Sequence, residues 1–427
     1  MTTQSQPVHS ATMPSLDDID AFSPDILQDP YRYFSRLRNE APVFRDPKTG
    51  IVYVSNHELV KQVCLQPQIF SNRFRERMAA GGAVSVDPDE AALLEQTVQV
   101  TDTMLTADPP DHTRYKKLSM MAFTFKRVNA MAGYIAEITN MLIDRLPKGG
   151  CEFKSAFANH LPMIVIADAL GVPREDMERF HRWSDAFIVQ FGGVSDKPTR
   201  LDAIRKIIEF QKYFIERIEE RRSDPRDDIV SDLVHANLAN EGDPRRMEYP
   251  ELLSILQALL VAGNETTAHS LTAGIYYLLS HPDQMARLLA DPSRYPNFIE
   301  ETLRFLTPVN NMWRVAVVDA NVGGVDIRKG DLMLLRFGSA NRDERVFEHG
   351  EEFDITRPNA NKHLAFGTGI HTCLGAQLAR KEMNIAFPIL LQRLKNPRLS
   401  KDVNSFRYNP NILLRGVLEL HIAYDLV

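Results

Sequence analysis

The residues best suited to chemistry lie in one glycine-rich stretch near the C-terminus. Residues 366–375 read FGTGIHTCLG, and an amphipathic helix is predicted to begin directly after Cys373. Gly367 and Gly369 permit a tight turn and a close approach to a flat cofactor. The free N–H groups and the positive dipole end of the following helix would face the sulfur, which favours a thiolate. This stretch, here called the cysteine loop, therefore predicts a metal-bound thiolate, whereas a lone cysteine would more simply be a buried structural residue.

The cysteine loop resembles the haem-binding signature of the cytochrome P450 superfamily, Phe-Gly-x-Gly-x-His-x-Cys-x-Gly, at every defined position. The resemblance implies that Cys373 is the axial ligand of the iron of haem b, where a thiolate promotes O–O cleavage. It also implies that Phe366, Gly367 and Gly375 form part of the haem site. By the same resemblance, His371 contacts a haem propionate.

A second motif lies in a long apolar stretch, residues 252–279, which is predicted to form a central helix. It contains AGNETT at residues 262–267. Gly263 leaves room for a flat ring and a diatomic ligand, and Thr266 can bond to a carbonyl one turn earlier and loosen the helix there. The motif resembles the superfamily's oxygen-activation sequence, which implies that Glu265 and Thr266 relay protons while O₂ is used as a co-substrate. On its own, such a motif could instead be a polar stripe facing solvent.

Two charged residues on one helix face form a third element. Glu301 and Arg304 are three residues apart, a spacing suited to an ion pair. Together with Arg357 they resemble the Glu-Arg-Arg triad of the superfamily. Arginine can bridge a carboxylate and backbone carbonyls at once, so the resemblance implies a structural role in holding the cysteine loop against the haem.

The propionates of a haem need cationic or hydrogen-bonding partners. His112 and, four residues on, Lys116 resemble the His and Arg that bind a propionate in the superfamily. Lysine in place of arginine keeps the charge and weakens the bidentate geometry. Arg314 resembles the strand-borne arginine that binds a propionate, and a solvated charge at a strand edge is its alternative.

The substrate pocket is predicted by position in the superfamily. Its expected residues, most of them apolar as pockets beside a cofactor usually are, are Phe74, Leu259, Ala262, Val309, Asn310, Asn311, Ile412 and Leu413. Asn310 and Asn311 either orient a polar group of the substrate or serve as turn residues. Residues 192–193 and 197–198 are predicted to form a flexible lid hinge.

The fold class is predicted to be mainly α with a small β-rich region, an α+β arrangement. Residues 1–15 are predicted to be a disordered tail and residues 16–427 a single catalytic domain, since no linker or repeat divides them. Helical periodicity predicts helices at 31–40, 57–65, 111–123, 127–146, 161–170, 176–191, 201–222 and 229–238. Strands are predicted at 43–44, 51–54, 314–317, 332–335 and 418–422.

Composition narrows the function classes. The net charge of −6 argues against nucleic acid as the main partner. Three cysteines cannot form a disulfide framework, so we expect a reducing cytoplasm; Cys64 is expected in a helix core and Cys151 at the start of a strand. Polar residues in the middle of the long apolar stretch argue against a membrane span, and no secretory signal is recognised. A monomer without a membrane anchor is expected.

The resemblance covers nearly the whole chain and implies a soluble, bacterial-type haem-thiolate monooxygenase that hydroxylates a small hydrophobic substrate. Electrons are expected from a separate [2Fe–2S] ferredoxin with its NAD(P)H-dependent reductase. Locally basic residues are predicted to receive this donor, with Lys117 and Arg380 as direct contacts. Two alternatives stay open: another oxidation on the same fold, such as demethylation, epoxidation or C–C coupling, and a haem-based binding or sensor protein without turnover.

Overall fold

Helices make up most of the protein. The structure, a computed structural model, describes residues 14–75, 87–192, 195–400 and 404–426. Its α-helices are Pro24–Gln28, Tyr31–Glu40, His57–Cys64, Pro88–Leu94, Asp111–Ala122, Phe125–Ala130, Ala132–Asp144, His160–Ala169, Met177–Gly192, Lys197–Ser223, Ile229–His235, Tyr249–Ser280, Pro282–Ala290, Tyr295–Leu306, Phe337–Ala340 and Ala376–Arg393. The predicted class, mainly helical with a small β-rich region, is confirmed.

The strands form three small sheets. They are β1 (Val43–Arg45), β2 (Val52–Val54), β3 (Phe70–Ser71), β4 (Gly150–Glu152), β5 (Met312–Ala316), β6 (Ala320–Val322), β7 (Val325–Ile327), β8 (Leu332–Leu335), β9 (Leu394–Leu399) and β10 (His421–Leu426). The largest sheet has the order β1-β2-β8-β5-β3, with β2 and β8 parallel and the other neighbours antiparallel. The other two sheets are β4-β10-β9 and the hairpin β6-β7. Cys151 lies in β4, and Cys64 is buried at the end of its helix, as predicted.

The helix Tyr249–Ser280, here called the central helix, runs through the middle of the molecule. Its first turn has a capping box, in which Glu248 and Glu251 bond to each other's backbone, and Pro250 stands among the first helical residues. These signals place its start three residues before the predicted range of 252–279. No helix among the described residues is long and apolar enough to cross a membrane.

The two halves of the central helix belong to different hydrophobic clusters. Leu252, Leu256 and Leu260 pack in one cluster, whereas Leu271 and Leu278 pack in another. The polar AGNETT motif lies between these two halves. The central helix therefore passes from one hydrophobic cluster to the other at the polar motif that interrupts its apolar sequence.

Two predicted elements differ from the structure. The helix predicted at 127–146 is two helices that meet at Met131. Thr124 caps the start of the first with its side chain, and Gly133 weakens the start of the second. The strand predicted at 418–422 is β10, His421–Leu426. Its predicted first half is not paired as a strand, since the Leu420 N–H bonds to the side chain of Glu152 at 2.7 Å.

Two other predictions touch residues outside those described. The predicted disordered tail, 1–15, lies almost entirely outside them, as does Gly193 of the predicted hinge. On the far side of that hinge, Lys197 begins a long helix that Asp196 caps by accepting from the Thr199 N–H at 2.9 Å. The second part of the predicted hinge, 197–198, is therefore the first turn of a helix.

Candidate active site

The cysteine loop closes on itself through the backbone. The N–H of Cys373 donates to the carbonyl of Phe366 at 2.8 Å. Gly367 and Gly369 have φ angles of 67° and 71°, in the left-handed region where a side chain would be strained. A Cβ on Gly369 would also lie 2.8 Å from the carbonyl oxygen of Cys64. Both glycines therefore serve the predicted tight turn, and Gly369 also lies close to the backbone of Cys64; the approach to a flat cofactor stays a prediction.

The helix that follows the loop directs backbone donors at Cys373, as predicted. Burial raises the pKa of the Cys373 thiol above its ordinary value, although the N–H groups of Gly375 and Ala376 and the charges of Lys116 and Arg380 lower it. The side chain is nevertheless accessible from the space it faces. The donors therefore favour the thiolate, as predicted, but burial outweighs them in the protein alone. A metal cation at the sulfur would supply the missing stabilisation.

The four residues predicted to hold propionates include two histidines that lie in contact. The rings of His112 and His371 are 4.3 Å apart between centroids. Arg314 and Lys116 lie close enough to lower the pKa of His371 through their charges. His371 Nδ1 lies 3.1 Å from the carbonyl of Met104, whereas its Nε2 and both ring nitrogens of His112 are buried without a partner.

These groups form a site that fits carboxylates. Burial, followed by the charge of Arg314, lowers the pKa of His371 to about 3, so the ring is neutral at neutral pH. Arg314 is also buried; it donates to the carbonyl of Trp313 at 2.7 Å, and its other terminal nitrogen lies 3.9 Å from the Cys64 sulfur. Unpartnered nitrogens beside a buried cation fit the two propionates of a haem, since buried polar groups require partners.

Lys116 bonds to the cysteine loop, and its predicted contact with a propionate stays a prediction. Its ammonium donates to the carbonyls of Ile370 and Thr372, within the cysteine loop. In this structure the lysine therefore ties the helix Asp111–Ala122 to the loop. A propionate would have to compete with these carbonyls for it.

The central helix exposes one residue of the AGNETT motif. Ala262 is exposed in the middle of a helix that is otherwise largely buried. The hydroxyl of Thr266 donates to the Ala262 carbonyl at 2.8 Å, the predicted bond to the preceding turn. The helix is nevertheless a continuous α-helix from Tyr249 to Ser280, so the predicted loosening is not seen. A Cβ on Gly263 would lie 3.5 Å from the Ile166 side chain, so the helix His160–Ala169 packs close to this glycine, and its contact with a haem stays a prediction.

Glu265 is held by two basic residues that sequence reasoning did not assign. One of its carboxylate oxygens lies 2.7 Å from His269 Nε2 and 3.7 Å from the Lys154 ammonium. Burial raises the pKa of Glu265, but His269 and then Lys154 oppose it more strongly, and the result is a pKa of about 2. Glu265 is therefore ionised at neutral pH. The four-residue spacing of Glu265 and His269 on a helix was the available signal.

His269 is fixed in place by the C-terminal segment. Its side chain is fully buried, and its short approach to Glu265 is not aligned as a hydrogen bond. A Cβ on Gly416 would lie 2.2 Å from the imidazole ring. Gly416 thus leaves the space that the ring occupies, and a larger residue there would displace His269 from Glu265.

The predicted Glu-Arg-Arg cluster is present and buried. Arg304 donates to both oxygens of Glu301 at 2.7 Å, and Arg357 Nε lies 3.1 and 3.2 Å from the same oxygens. Arg304 also donates to the carbonyls of Asn341 and Gly350, both at 2.8 Å. The cluster therefore fixes the segment that leads to the cysteine loop. This geometry is the one that the spacing and the resemblance predicted.

Several of the predicted substrate residues lie together. Phe74, Ile412 and Leu413 share one hydrophobic cluster, and Val309 pairs with the same C-terminal turn. Leu259, partly buried on the central helix, belongs to another cluster.

Asn310 and Asn311 are placed differently from the rest of that set. The Asn311 amide donates to the Ile412 carbonyl and accepts from Arg336, and the Asn310 amide packs against Gly338. Both asparagines are almost fully buried. Their alternative role, as structural residues of a turn, fits this placement, whereas a direct contact with substrate does not.

The basic residues predicted to receive an electron donor are mostly paired within the protein. Arg380 forms a bidentate pair with Glu300 at 2.6 and 2.8 Å. Lys117 pairs with Glu241, although its side chain remains 45% exposed. Arg114 pairs with acidic residues as well. The predicted patch is therefore less positive than the sequence suggested.

Known proteins are similar to this chain over most of its length. A family model described as cytochrome P450 matches residues 177–294 and 295–415. The steroid C26-monooxygenase of Mycobacterium tuberculosis is 38% identical over 392 residues, which cover 91% of this chain and 98% of that protein. Cytochrome P450 CYP107DY1 of Priestia megaterium is 34% identical over 412 residues, covering 95% and 98%. The solved structure of cytochrome P450 CYP109Q5 from Chondromyces apiculatus has a TM-score of 0.84 at 33% identity and covers 96% of this chain and 99% of that one.

These matches show that the protein is an oxidoreductase of the monooxygenase type, with haem b as its cofactor and O₂ as its co-substrate. The chain belongs to the cytochrome P450 family.

Proposed function

We propose that this protein hydroxylates a small, mainly hydrophobic organic substrate with electrons from a separate redox protein. The observation that carries the proposal is the set of unpartnered nitrogens on His112 and His371, beside Arg314 and next to the loop that bears Cys373. These residues would hold the haem through its propionates and its iron. When bound, the haem supplies reductive activation of O₂.

The protein's own residues handle the protons. Glu265 is ionised, so it acts as an acceptor that can take a proton from solvent and pass it inward. His269 and Lys154 keep it in this state. Thr266 uses its hydroxyl hydrogen on the Ala262 carbonyl, which leaves its oxygen free to accept from a water. Because Ala262 is exposed, water can reach this turn of the helix.

Steroid-like molecules are the first class of substrate to test. The relative named steroid C26-monooxygenase shares 38% identity over nearly the whole chain, which supports a bulky, apolar substrate. The cluster around Phe74, Ile412 and Leu413 offers an apolar wall of the kind such a molecule requires. Asn310 and Asn311 are almost fully buried, so they add little polar recognition to this wall.

A ferredoxin remains the proposed electron donor. Lys117 is the best candidate contact, since it is half-exposed and its partner Glu241 is also exposed, so an acidic donor could compete for it. Arg380 is a poorer candidate because its pair with Glu300 is bidentate and less exposed.

The test is turnover of the purified holoenzyme with a [2Fe–2S] ferredoxin and its NAD(P)H-dependent reductase under ¹⁸O₂. A panel of steroids, fatty acids and aromatic acids would be screened first by spectral titration of the ferric protein. The proposal predicts a hydroxylated product that carries one ¹⁸O atom. In coupled turnover, one molecule of this product forms for each NAD(P)H consumed. Binding of panel compounds without any oxidised product would favour the haem-based binding protein instead, and a demethylated or epoxidised product would favour the other oxidations.

A further inference from the structure

Three side chains from different segments meet at the start of the cysteine loop. Glu300 lies on the helix that carries the buried triad, His363 precedes the loop by three residues, and Arg380 lies on the helix that follows the loop. Two of them, His363 and Arg380, contact Phe366, and Glu300 joins those two. Only Arg380 had a predicted role, as a contact for the electron donor.

The Phe366 ring contacts a cation and an imidazole. The guanidinium carbon of Arg380 lies 4.4 Å from the centre of this ring, and the ring centre of His363 lies 5.8 Å from it. A cation within about 6 Å of an aromatic face is attracted by the ring. The backbone of Phe366 is bonded as well, since its carbonyl accepts from the Cys373 N–H at 2.8 Å. Phe366 therefore links Arg380 to the residue that carries the sulfur.

Glu300 holds Arg380 in this position. Its carboxylate accepts from Arg380 Nε and Nη2 at 2.6 and 2.8 Å, which makes the pair bidentate. His363 Nε2 lies 3.2 Å from the same carboxylate, and His363 Nδ1 accepts from the Ala365 N–H at 3.1 Å. Because Nδ1 is an acceptor, the proton of the neutral ring is on Nε2, the nitrogen nearest Glu300. The carboxylate thus has a cation on one side and an imidazole N–H on the other.

The pair of Glu300 and Arg380 carries one negative and one positive charge. Burial raises the pKa of Glu300, but its bonds to Arg380 and His363 lower it to about 2, so this carboxylate is ionised at neutral pH. The Glu300 side chain is 15% exposed and the Arg380 side chain is 29% exposed, so water and salt screen the pair only in part. Removing the charge of either partner therefore leaves a net charge of known sign in the cluster.

The charge of Arg380 reaches the sulfur. It lowers the pKa of the Cys373 thiol, in opposition to burial. Charges and hydrogen bonds around a ligand adjust the reduction potential of a bound metal centre. We propose that Arg380, held by Glu300, is a positioning residue that raises the reduction potential of the haem by its charge beside the cysteine loop. Arg380 then makes the haem easier to reduce without itself contacting the electron donor. The proposal rests on the proposed ligation of the iron by Cys373.

The sign of each expected shift follows from the charges. Reduction of the ferric haem adds one electron, so a nearby positive charge favours the reduced form and a nearby negative charge disfavours it. Arg380→Gln leaves the charge of Glu300 unbalanced, so the reduction potential should become more negative. Glu300→Gln leaves the charge of Arg380 unbalanced, so the potential should become more positive. A role in packing alone would not give shifts of opposite sign.

The test measures the reduction potential of the wild-type and variant holoenzymes by dye-mediated titration at low ionic strength, without ferredoxin. Arg380→Lys keeps the charge but not the bidentate pair, so its potential should lie closer to that of the wild type than the potential of Arg380→Gln does. The Soret band of the reduced carbon monoxide complex is recorded for each protein. This band separates a loss of the thiolate ligand from a change in its surroundings.

Arg179→Gln is the matched control. Arg179 Nε also donates to a glutamate, Glu209, at 2.9 Å, and its guanidinium carbon lies 5.2 Å from the ring centre of Trp183. Trp183 belongs to a different hydrophobic cluster from the one against which Phe366 packs. The control should therefore keep the wild-type reduction potential.

Two results would overturn the proposal. Potentials that do not move, or that move in the same direction, in Arg380→Gln and Glu300→Gln would refute the role of the charge, and a retained red-shifted Soret band would show that the thiolate ligand is still in place. A wild-type protein without that band would refute the ligation by Cys373 and this proposal together.

Discussion

Removing the charge of Glu301 offers the sharpest test of the buried triad. In Glu301→Gln the side chain keeps its shape, but Arg304 and Arg357 lose their common carboxylate. The new amide group would also direct its own N–H groups at a guanidinium. Breaking a buried pair in this way costs about 3–5 kcal/mol, because an uncompensated charge stays in the interior.

The expected shift in unfolding temperature follows from the size of the chain. At about 2.1 cal/mol/K per residue, unfolding of 427 residues has an entropy of about 0.9 kcal/mol/K. A loss of about 3–5 kcal/mol then lowers the unfolding temperature by about 3–6 °C. Because the triad fixes the segment that leads to the cysteine loop, haem content per polypeptide should fall as well.

The assay is thermal unfolding of the purified protein, together with its haem-to-protein ratio. Glu300→Gln is the matched control, because Glu300 is the next residue on the same helix and pairs with Arg380 and His363 nearer the surface. This control should lose clearly less stability, since water can solvate the freed Arg380. Equal unfolding temperatures for Glu301→Gln and wild type, with full haem content, would refute the structural role of the triad.

Three further predictions concern protons and electrons. Thr266→Ala should divert reducing equivalents into hydrogen peroxide, so that product per NAD(P)H falls more than NAD(P)H consumption; unchanged coupling would reject a relay through Thr266. The ordinary pKa of Glu265 is 4.5 and its folded pKa is about 2, so its ionised form contributes stability above pH 4.5 that is lost as the pH falls toward 2. His269→Gln removes the interaction that lowers the pKa of Glu265 most strongly against burial, so acid unfolding should move to higher pH in thermal scans across this window. An acid unfolding transition at the wild-type pH would contradict the pairing of Glu265 with His269. Lys117→Glu should raise the KM for ferredoxin and weaken the dependence of this KM on salt. Glu241→Gln, which frees Lys117, should lower the KM. Reduction kinetics that both variants leave unchanged across a salt series would exclude this contact.

The parts of the site that the sequence predicted depend on local spacing. The turn at Gly367 and Gly369 is set by residues close in the chain, and so is the pair between Glu301 and Arg304. The bond from Thr266 to the preceding turn is equally local. Motifs of this kind keep their geometry wherever the fold places them.

The parts that were missed depend on contacts between distant segments. His269 is fixed by the space at Gly416, which comes from the C-terminal segment, and Lys154 reaches Glu265 from the short π-helix Lys154–Ala158. Lys116 was expected to bind a propionate and Arg380 to contact an electron donor, yet each bonds to a protein group that only tertiary packing brings to it. The burial of the Asn310 side chain has the same origin, since this side chain packs against Gly338.

The central claim is that Cys373 binds the haem iron through its thiolate, and the reduced carbon monoxide complex tests it most directly. A thiolate donates more charge to iron than an imidazole does, so the wild-type complex should show the strongly red-shifted Soret band of thiolate-ligated haem. Cys373→Ser should lose this band, whereas Cys151→Ser, a change in strand β4, should keep it. A Cys373→Ser protein that retains the shifted band, or a wild-type protein that lacks it, would contradict the account.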